Sequence, residues 1–95
     1  MATYARTRQF DRDWRRLGSA DRDRYRLVFR RFDEDLTAGR FRPGLRVKGV
    51  QGAPGVFEMS WAPDGRATFE YGQSQGAGPH VIWRRVGTHA VLLAP

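Results

Sequence analysis

The chain is 95 residues long, the size of one domain, and it carries 17 basic against 10 acidic side chains for a net charge of +7, with no cysteine and two histidines. Without thiols there is no disulfide framework and no thiolate metal site, two histidines alone are a poor metal set, and no apolar run approaches a membrane span. Sixteen of the basic residues are Arg, and the fourteen bases and seven acids of residues 1–48 hold the whole positive excess, residues 49–95 being neutral. Such polarity attracts polyanions or an acidic protein, although an Arg-rich coding bias would leave the same trace. The start, Met1 to Arg6, lacks a signal-peptide core, so a reducing cytoplasm is expected.

Met1 to Arg6 is compatible with a short edge strand. Thr7 can cap a helix whose apolar side is Phe10, Trp14 and Leu17, at spacings of four and three. Gly18 suits a left-handed end to it, and Ser19 can cap a second helix. Asp21 and Asp23 lie near that helix's positive N-terminal end. Its apolar stripe is Tyr25, Val28, Phe29, Phe32 and Leu36, and Gly39 closes it. Two helices joined this tightly predict an antiparallel αα-hairpin.

From Arg42-Pro43-Gly44 onward the period changes to two. Leu45 to Val50 predicts a strand with Arg46 and Lys48 on one face. Gly49, Gly52, Pro54 and Gly55 mark a loop. Val56 to Trp61 predicts a second strand, with Phe57, Met59 and Trp61 opposite Val56, Glu58 and Ser60. Pro63-Asp64-Gly65 is a turn in which Pro presets φ and Gly accepts a positive φ. Arg66 to Tyr71 returns, with Ala67, Phe69 and Tyr71 on one face. Gly72 to Pro79 is a glycine-rich loop, and Val81 to Val86 is a last strand in which the orientation of Trp83 stays ambiguous. His80 suits a structural or surface role. The tail Val91-Leu92-Leu93 either closes the core or offers a docking patch.

These elements make one α+β domain over residues 1–95. An N-terminal αα-hairpin packs on the aromatic face of a twisted, mainly antiparallel four- to five-stranded sheet. The other face, with Arg46, Lys48, Glu58, Ser60, Arg66 and Thr68, is too polar for core. It is either solvated or a binding surface.

The order of elements, with Leu45-Arg46-Val47-Lys48-Gly49-Val50, Gly55-Val56-Phe57-Glu58-Met59, Pro63-Asp64-Gly65-Arg66 and Arg84-Arg85-Val86-Gly87-Thr88-His89, resembles the RelE/ParE superfamily of type II toxins. The terminal Gly-Thr-His is similar to its YafQ-like branch, which ends in a catalytic His. Ser60 stands where that branch has another His, and Leu93 where it has Phe. The resemblance implies ribosome-dependent mRNA cleavage, neutralised by a cognate acidic antitoxin. On that basis His89, Arg66, Asp64 and Glu58 are candidate catalytic residues, and Arg46, Lys48, Arg84 and Arg85 candidate RNA contacts, with no cofactor.

Metal-free RNA cleavage uses the substrate's own 2′-hydroxyl. It needs a base, cations on the phosphorane-like transition state and an acid for the leaving oxygen. Arg66 can grip two phosphate oxygens, Lys48 and Arg46 add charge, and His89 can carry a proton near neutral pH. Glu58 or Asp64 can serve as base or orient His89. Each has a plainer use: Asp64 as a turn residue, Glu58 with Arg66 as a solvated cross-strand pair, and Arg46 and Lys48 as guards against edge-to-edge pairing. A ParE-like toxin that binds gyrase without catalysis, and a basic RNA-binding module, are the alternatives.

Overall fold

The computed structural model describes residues 1–95. Strand β1 (Thr3–Arg6) leads into helices α1 (Arg8–Arg16) and α2 (Ser19–Ala38), followed by a 3-10 turn (Pro43–Leu45). Strands β2 (Lys48–Gly49), β3 (Val56–Ser60), β4 (Gly65–Gly72) and β5 (His80–Thr88) complete one sheet, and a second 3-10 turn (His89–Leu93) ends the chain. The strand order is β1-β5-β4-β3-β2. Only β1 and β5 run parallel; the other pairs are antiparallel. The sheet is therefore mixed, and the α+β architecture expected from the sequence is the one observed.

The helices form where the pattern asks for them. Thr7 caps α1, its hydroxyl accepting from the Phe10 N–H at 3.1 Å. Gly39 ends α2 at φ 83°, the left-handed conformation that glycine adopts without steric cost. Gly18 does not play that part, since it is extended, with φ −70° and ψ 165°. The last carbonyls of α1 are met instead by Arg22, which donates to Trp14 O at 3.1 Å and Arg15 O at 3.3 Å. A cation at a helix C-terminus also answers the helix dipole. Tyr4 Oη, donating to Asp33 Oδ1 at 2.5 Å, ties β1 to α2.

The core is aromatic and centred on Trp83, which lies within 6.5 Å (centroid to centroid) of Phe10, Tyr25, Phe29, Phe32 and Phe69. The sequence left its direction open for a physical reason. Phe69 pairs with Trp83 while Thr68 pairs with Arg85, so Arg84 is an extra residue in the ladder. A bulge of this kind shifts the alternation by one. Trp83 and Val86, three residues apart, both face the helices and are buried. Thr7 serves the bulge as well, donating its N–H to Trp83 O at 3.0 Å and its hydroxyl to Arg84 O at 2.8 Å.

Two sequence expectations need correction here. Leu45 to Val50 is not a full strand, because only Lys48–Gly49 pair, with Glu58 and Phe57. Leu45 ends a 3-10 turn as buried core, and Arg46 caps it at φ 51° rather than lying on a strand. The polar face of the sheet is also less open than expected. The C-terminal turn folds over β4 and β5, where Val91 and Thr68 are buried, and Thr68 Oγ1 donates to Pro95 O at 3.3 Å; Glu58 on β3 is buried as well. Val91 closes this second layer, while Leu93 remains 91 % exposed.

Beyond Arg6 the edge of β5 has no strand beside it, and Asp13 of α1 takes over. Its carboxylate accepts from the Val86 N–H at 3.1 Å, from Arg85 Nε and Nη2 at 2.7 and 3.2 Å, and from Gln9 Nε2 at 3.3 Å. Burial pushes the Asp13 carboxyl up, but the hydrogen bonds from Arg85, Val86 and Gln9 outweigh it and hold the group below its ordinary 3.8. With a folded-state pKa below the unfolded one, this stabilisation is complete above pH 3.8 and is lost as the pH falls through the folded value. Asp13→Ala, which strands the Val86 N–H and unpairs Arg85, is expected to cost about 3 kcal/mol in urea denaturation at pH 7. The gap from wild type should shrink on acidification below pH 3.8.

Candidate active site

The site lies where β3 and β5 end and β4 begins. Gly65 pairs with Thr88 and Arg66 with Gly87, so the residue after Thr88 arrives beside the β3–β4 turn. That residue is His89, whose Nδ1 is hydrogen-bonded to Asp64 Oδ1. The hydrogen bond from His89 is the main cause holding the Asp64 carboxyl below its ordinary 3.8; it outweighs desolvation, and the charges of His89 and then Arg66 add to it. Asp64 is thus an anion near neutral pH and can only accept. Nδ1 therefore carries the hydrogen of this contact, and Nε2 makes no hydrogen bond within the protein. The side chains are 70 % and 62 % exposed for His89 and Asp64, open to a large substrate.

Arg66 is held more tightly, at 18 % side-chain exposure. Its Nη1 donates to the carbonyls of Ala62, Pro63 and Gly65 at 3.4, 3.2 and 2.9 Å. Its Nε lies 3.8 Å from Glu58 Oε1. Nη2 has no partner within the protein. The turn is fixed from below by Trp61, whose Nε1 donates to Arg66 O at 3.0 Å. Gly65 is required there for space, not for a positive φ, because a Cβ on it would meet Trp61 Cε2 at 2.6 Å.

The other candidates divide. Glu58 is buried beneath Arg66. Lys48 pairs in register with Glu58, is exposed and makes no ion pair. It stands two strands over and two residues along from Arg66, about 12 Å away by strand spacing and rise. Arg46 is exposed and free of partners, and it shares with Arg66 a cleft of about 730 Å³. Arg84 and Arg85 are engaged elsewhere. Arg84 donates to Glu70 Oε2 at 2.9 Å and Pro95 O at 3.0 Å, and Arg85 holds Asp13 and Ala94 O. The fold therefore brings together His89, Asp64, Arg66 and Glu58, sets Arg46 and Lys48 on the rim, and uses Arg84 and Arg85 to tie the C-terminal turn down. Asp13 escaped the sequence reading. Its one trace was an acid on the apolar side of α1, one position before Trp14.

A helical pair laid over one face of a mixed five-stranded sheet is a fold this chain shares with solved structures of the toxins YafQ and RelE. The crystal structure of YafQ from Escherichia coli superposes with a TM-score of 0.73 at 13 % identity, over 99 % of this chain and 100 % of that one. YafQ in the E. coli DinJ–YafQ complex gives 0.69 at 14 % identity, with the same coverage. The RelB–RelE antitoxin–toxin complex from Methanococcus jannaschii gives 0.61 at 16 %, over 94 % of each chain. No family model and no curated protein sequence matches the chain.

Two outcomes test the geometry. In carbon-detected NMR the Asp64 carboxyl should titrate below 3.8, and His89→Ala should move its midpoint up toward that value; an unmoved midpoint would show that the pair does not form in solution. Gly65→Ala should lose roughly 1–3 kcal/mol of stability in urea unfolding, as the indole beneath it is displaced.

Proposed function

We propose that this chain is the toxin of a type II toxin–antitoxin pair and cleaves mRNA on the ribosome, with its own side chains supplying the proton transfers and the charge. The observation that carries this reading is the union, at one sheet end, of an open imidazole fixed by a carboxylate and an arginine with a free Nη2. In the reaction the substrate's 2′-hydroxyl loses its proton and its oxygen bonds to the adjacent phosphorus. The bond to the 5′-oxygen breaks, and that oxygen takes a proton. The products are a 2′,3′-cyclic phosphate and a 5′-hydroxyl. His89 handles the proton through Nε2, and Asp64 keeps the ring in the required tautomer, as a buried acid does in hydrolase triads. Arg66 places Nη2 on a non-bridging oxygen, Glu58 steadies Arg66 from beneath, and Lys48 and Arg46 add field from the rim.

The neighbours solved with DinJ and RelB favour a cognate antitoxin for this chain too. A hollow of about 640 Å³ between β1 and the helices suits such a partner. Tyr4, Phe10, Trp14 and Phe29 line it, and Arg6 and Arg30 stand at its edge. Beside it the Tyr25 hydroxyl and the Trp83 indole N–H are buried without partners. An amphipathic, acidic helix fills a space of this chemistry. No helix of the chain is long and apolar enough to cross a membrane, and a cytoplasmic place of action fits the proposed substrate.

The deciding experiment is primer extension on a message translated in an extract. Wild-type protein should produce discrete 5′ ends. His89→Ala and Arg66→Ala should each reduce cleavage on the order of 10²–10³-fold, with unchanged circular dichroism. Intact message at high protein concentration, or full activity in both variants, would reject the nuclease in favour of a binding toxin.

A further inference from the structure

The cleft that Arg46 shares with Arg66 runs from Arg66 and the β3–β4 turn to α2. Its far wall is one stripe of that helix: Arg24, Leu27, Val28 and Arg31, at spacings of three, four and seven. Positions so spaced lie on one side of a helix, and the two arginines are about 10 Å apart along the axis. Arg24, Arg31 and Arg46 are exposed and make no ion pair or side-chain hydrogen bond. This sets them apart from Arg42 and Arg26 nearby. Arg42, at the same cleft, is taken by Glu34 and Asp35 at 3.1 and 2.8 Å, and Asp23, the acid of the lining, is occupied by Arg26 at 3.1 Å.

Two further features point the same way. Arg46 is the one non-glycine residue with a positive φ, 51°, in a place where glycine or asparagine fits more easily. A strained position that keeps a long cation is a pointer to use. Leu27, the large side chain between Arg24 and Arg31, is 49 % exposed. An apolar surface framed by unpaired guanidiniums matches a strand that alternates phosphates with sugars and bases. An acidic helix would leave the floor open to water between its carboxylates.

We propose that this cleft is a second, non-catalytic binding groove that holds the RNA backbone flanking the scissile phosphate. In it Arg24, Arg31 and Arg46 take successive phosphates, and Leu27 lies beneath a sugar or base. The inference rests on the RNA reading given above and adds to it a path along the protein. It also gives α2 two jobs: one side covers the aromatic core, the other steers substrate toward Arg66.

The test uses the full chain, a short labelled single-stranded RNA and fluorescence anisotropy across a salt series. Arg24→Gln with Arg31→Gln is compared with Arg8→Gln with Arg12→Gln, an equal charge loss on exposed, unpaired arginines of α1. Each phosphate contact on a single strand contributes about 0.7 to the slope of log affinity against log salt. The α2 pair should therefore lose about 1.4 of slope. Between about 50 and 200 mM salt the wild-type affinity should fall about sevenfold more than that of the variant. The α1 pair should keep the wild-type slope, and Arg24→Lys with Arg31→Lys should restore most of it. Equal slopes for the two Gln pairs, or no RNA binding by wild type, overturn the groove. So does a loss confined to polyglutamate binding, which would assign the cleft to an acidic protein. The cleavage assay with His89→Ala separates the two ideas. A groove phenotype with no nuclease refutes the chemistry alone, and His89-dependent cleavage that ignores the α2 pair refutes the groove alone.

Discussion

The bulge at Arg84 is the constraint on which the molecule turns. Before it, β5 presents Val81 and Trp83 to the helices; after it, Val86 takes up the same face. A strand without the extra residue would keep strict alternation, and a one-residue slip sends every later side chain to the opposite face. Val86 would then leave the core, and Arg85 would point into it. The register downstream of the bulge also fixes where Thr88 meets Gly65, and hence where the imidazole of His89 meets Asp64. Packing of the core and assembly of the site are two results of one backbone irregularity, held in place by Thr7 and Asp13 from α1.

Electrostatics follow from which arginines are already occupied. A +7 chain could spread its charge evenly, but the fold engages many of its cations internally. Arg22 closes α1, Arg42 closes α2 through Asp35, and Arg84 and Arg85 fasten the final turn. The bidentate contact with Arg42 draws the Asp35 carboxyl down to about 2, and Asp35 in turn organises the chain entering the 3-10 turn by accepting from the Arg42 N–H at 2.7 Å. The cations left unpaired include Arg24, Arg31 and Arg46 around one cleft, Lys48 at the sheet edge and the arginines of the outer face of α1. The field at the site depends on this selection more than on net charge.

Much of this was legible in the sequence. The stripes of α1 and α2, the cap at Thr7 and the alternation of β3 and β4 were readable because each side chain answers to its own period. The closeness of Asp64, Arg66 and His89 followed from a turn and a strand end being matched to a known order of elements. What could not be read came from contacts distant in sequence. Arg85 looked like a free cation because its partner, Asp13, is 72 residues away. The polar face looked open because the covering turn becomes visible only when the chain folds back on itself. Arg46 looked like a strand residue because period two continues through Leu45 and Val47, while Pro43 and Gly44 turn the backbone before it.

The placement of β5 has a consequence for biosynthesis. Thr3 lies against His80 and Arg6 against Trp83, so an inner strand of the sheet is the last of the five to be made. A nascent chain with β5 still in the tunnel has an unpaired β1 and a hollow of aromatic rings where Trp83 belongs. It also lacks His89. The contact between Asp64 and His89 therefore forms only after β5 has been made and has paired with β4. During that interval the exposed rings favour collapse or capture by a chaperone, so the order of strands along the gene sets how fragile its production is.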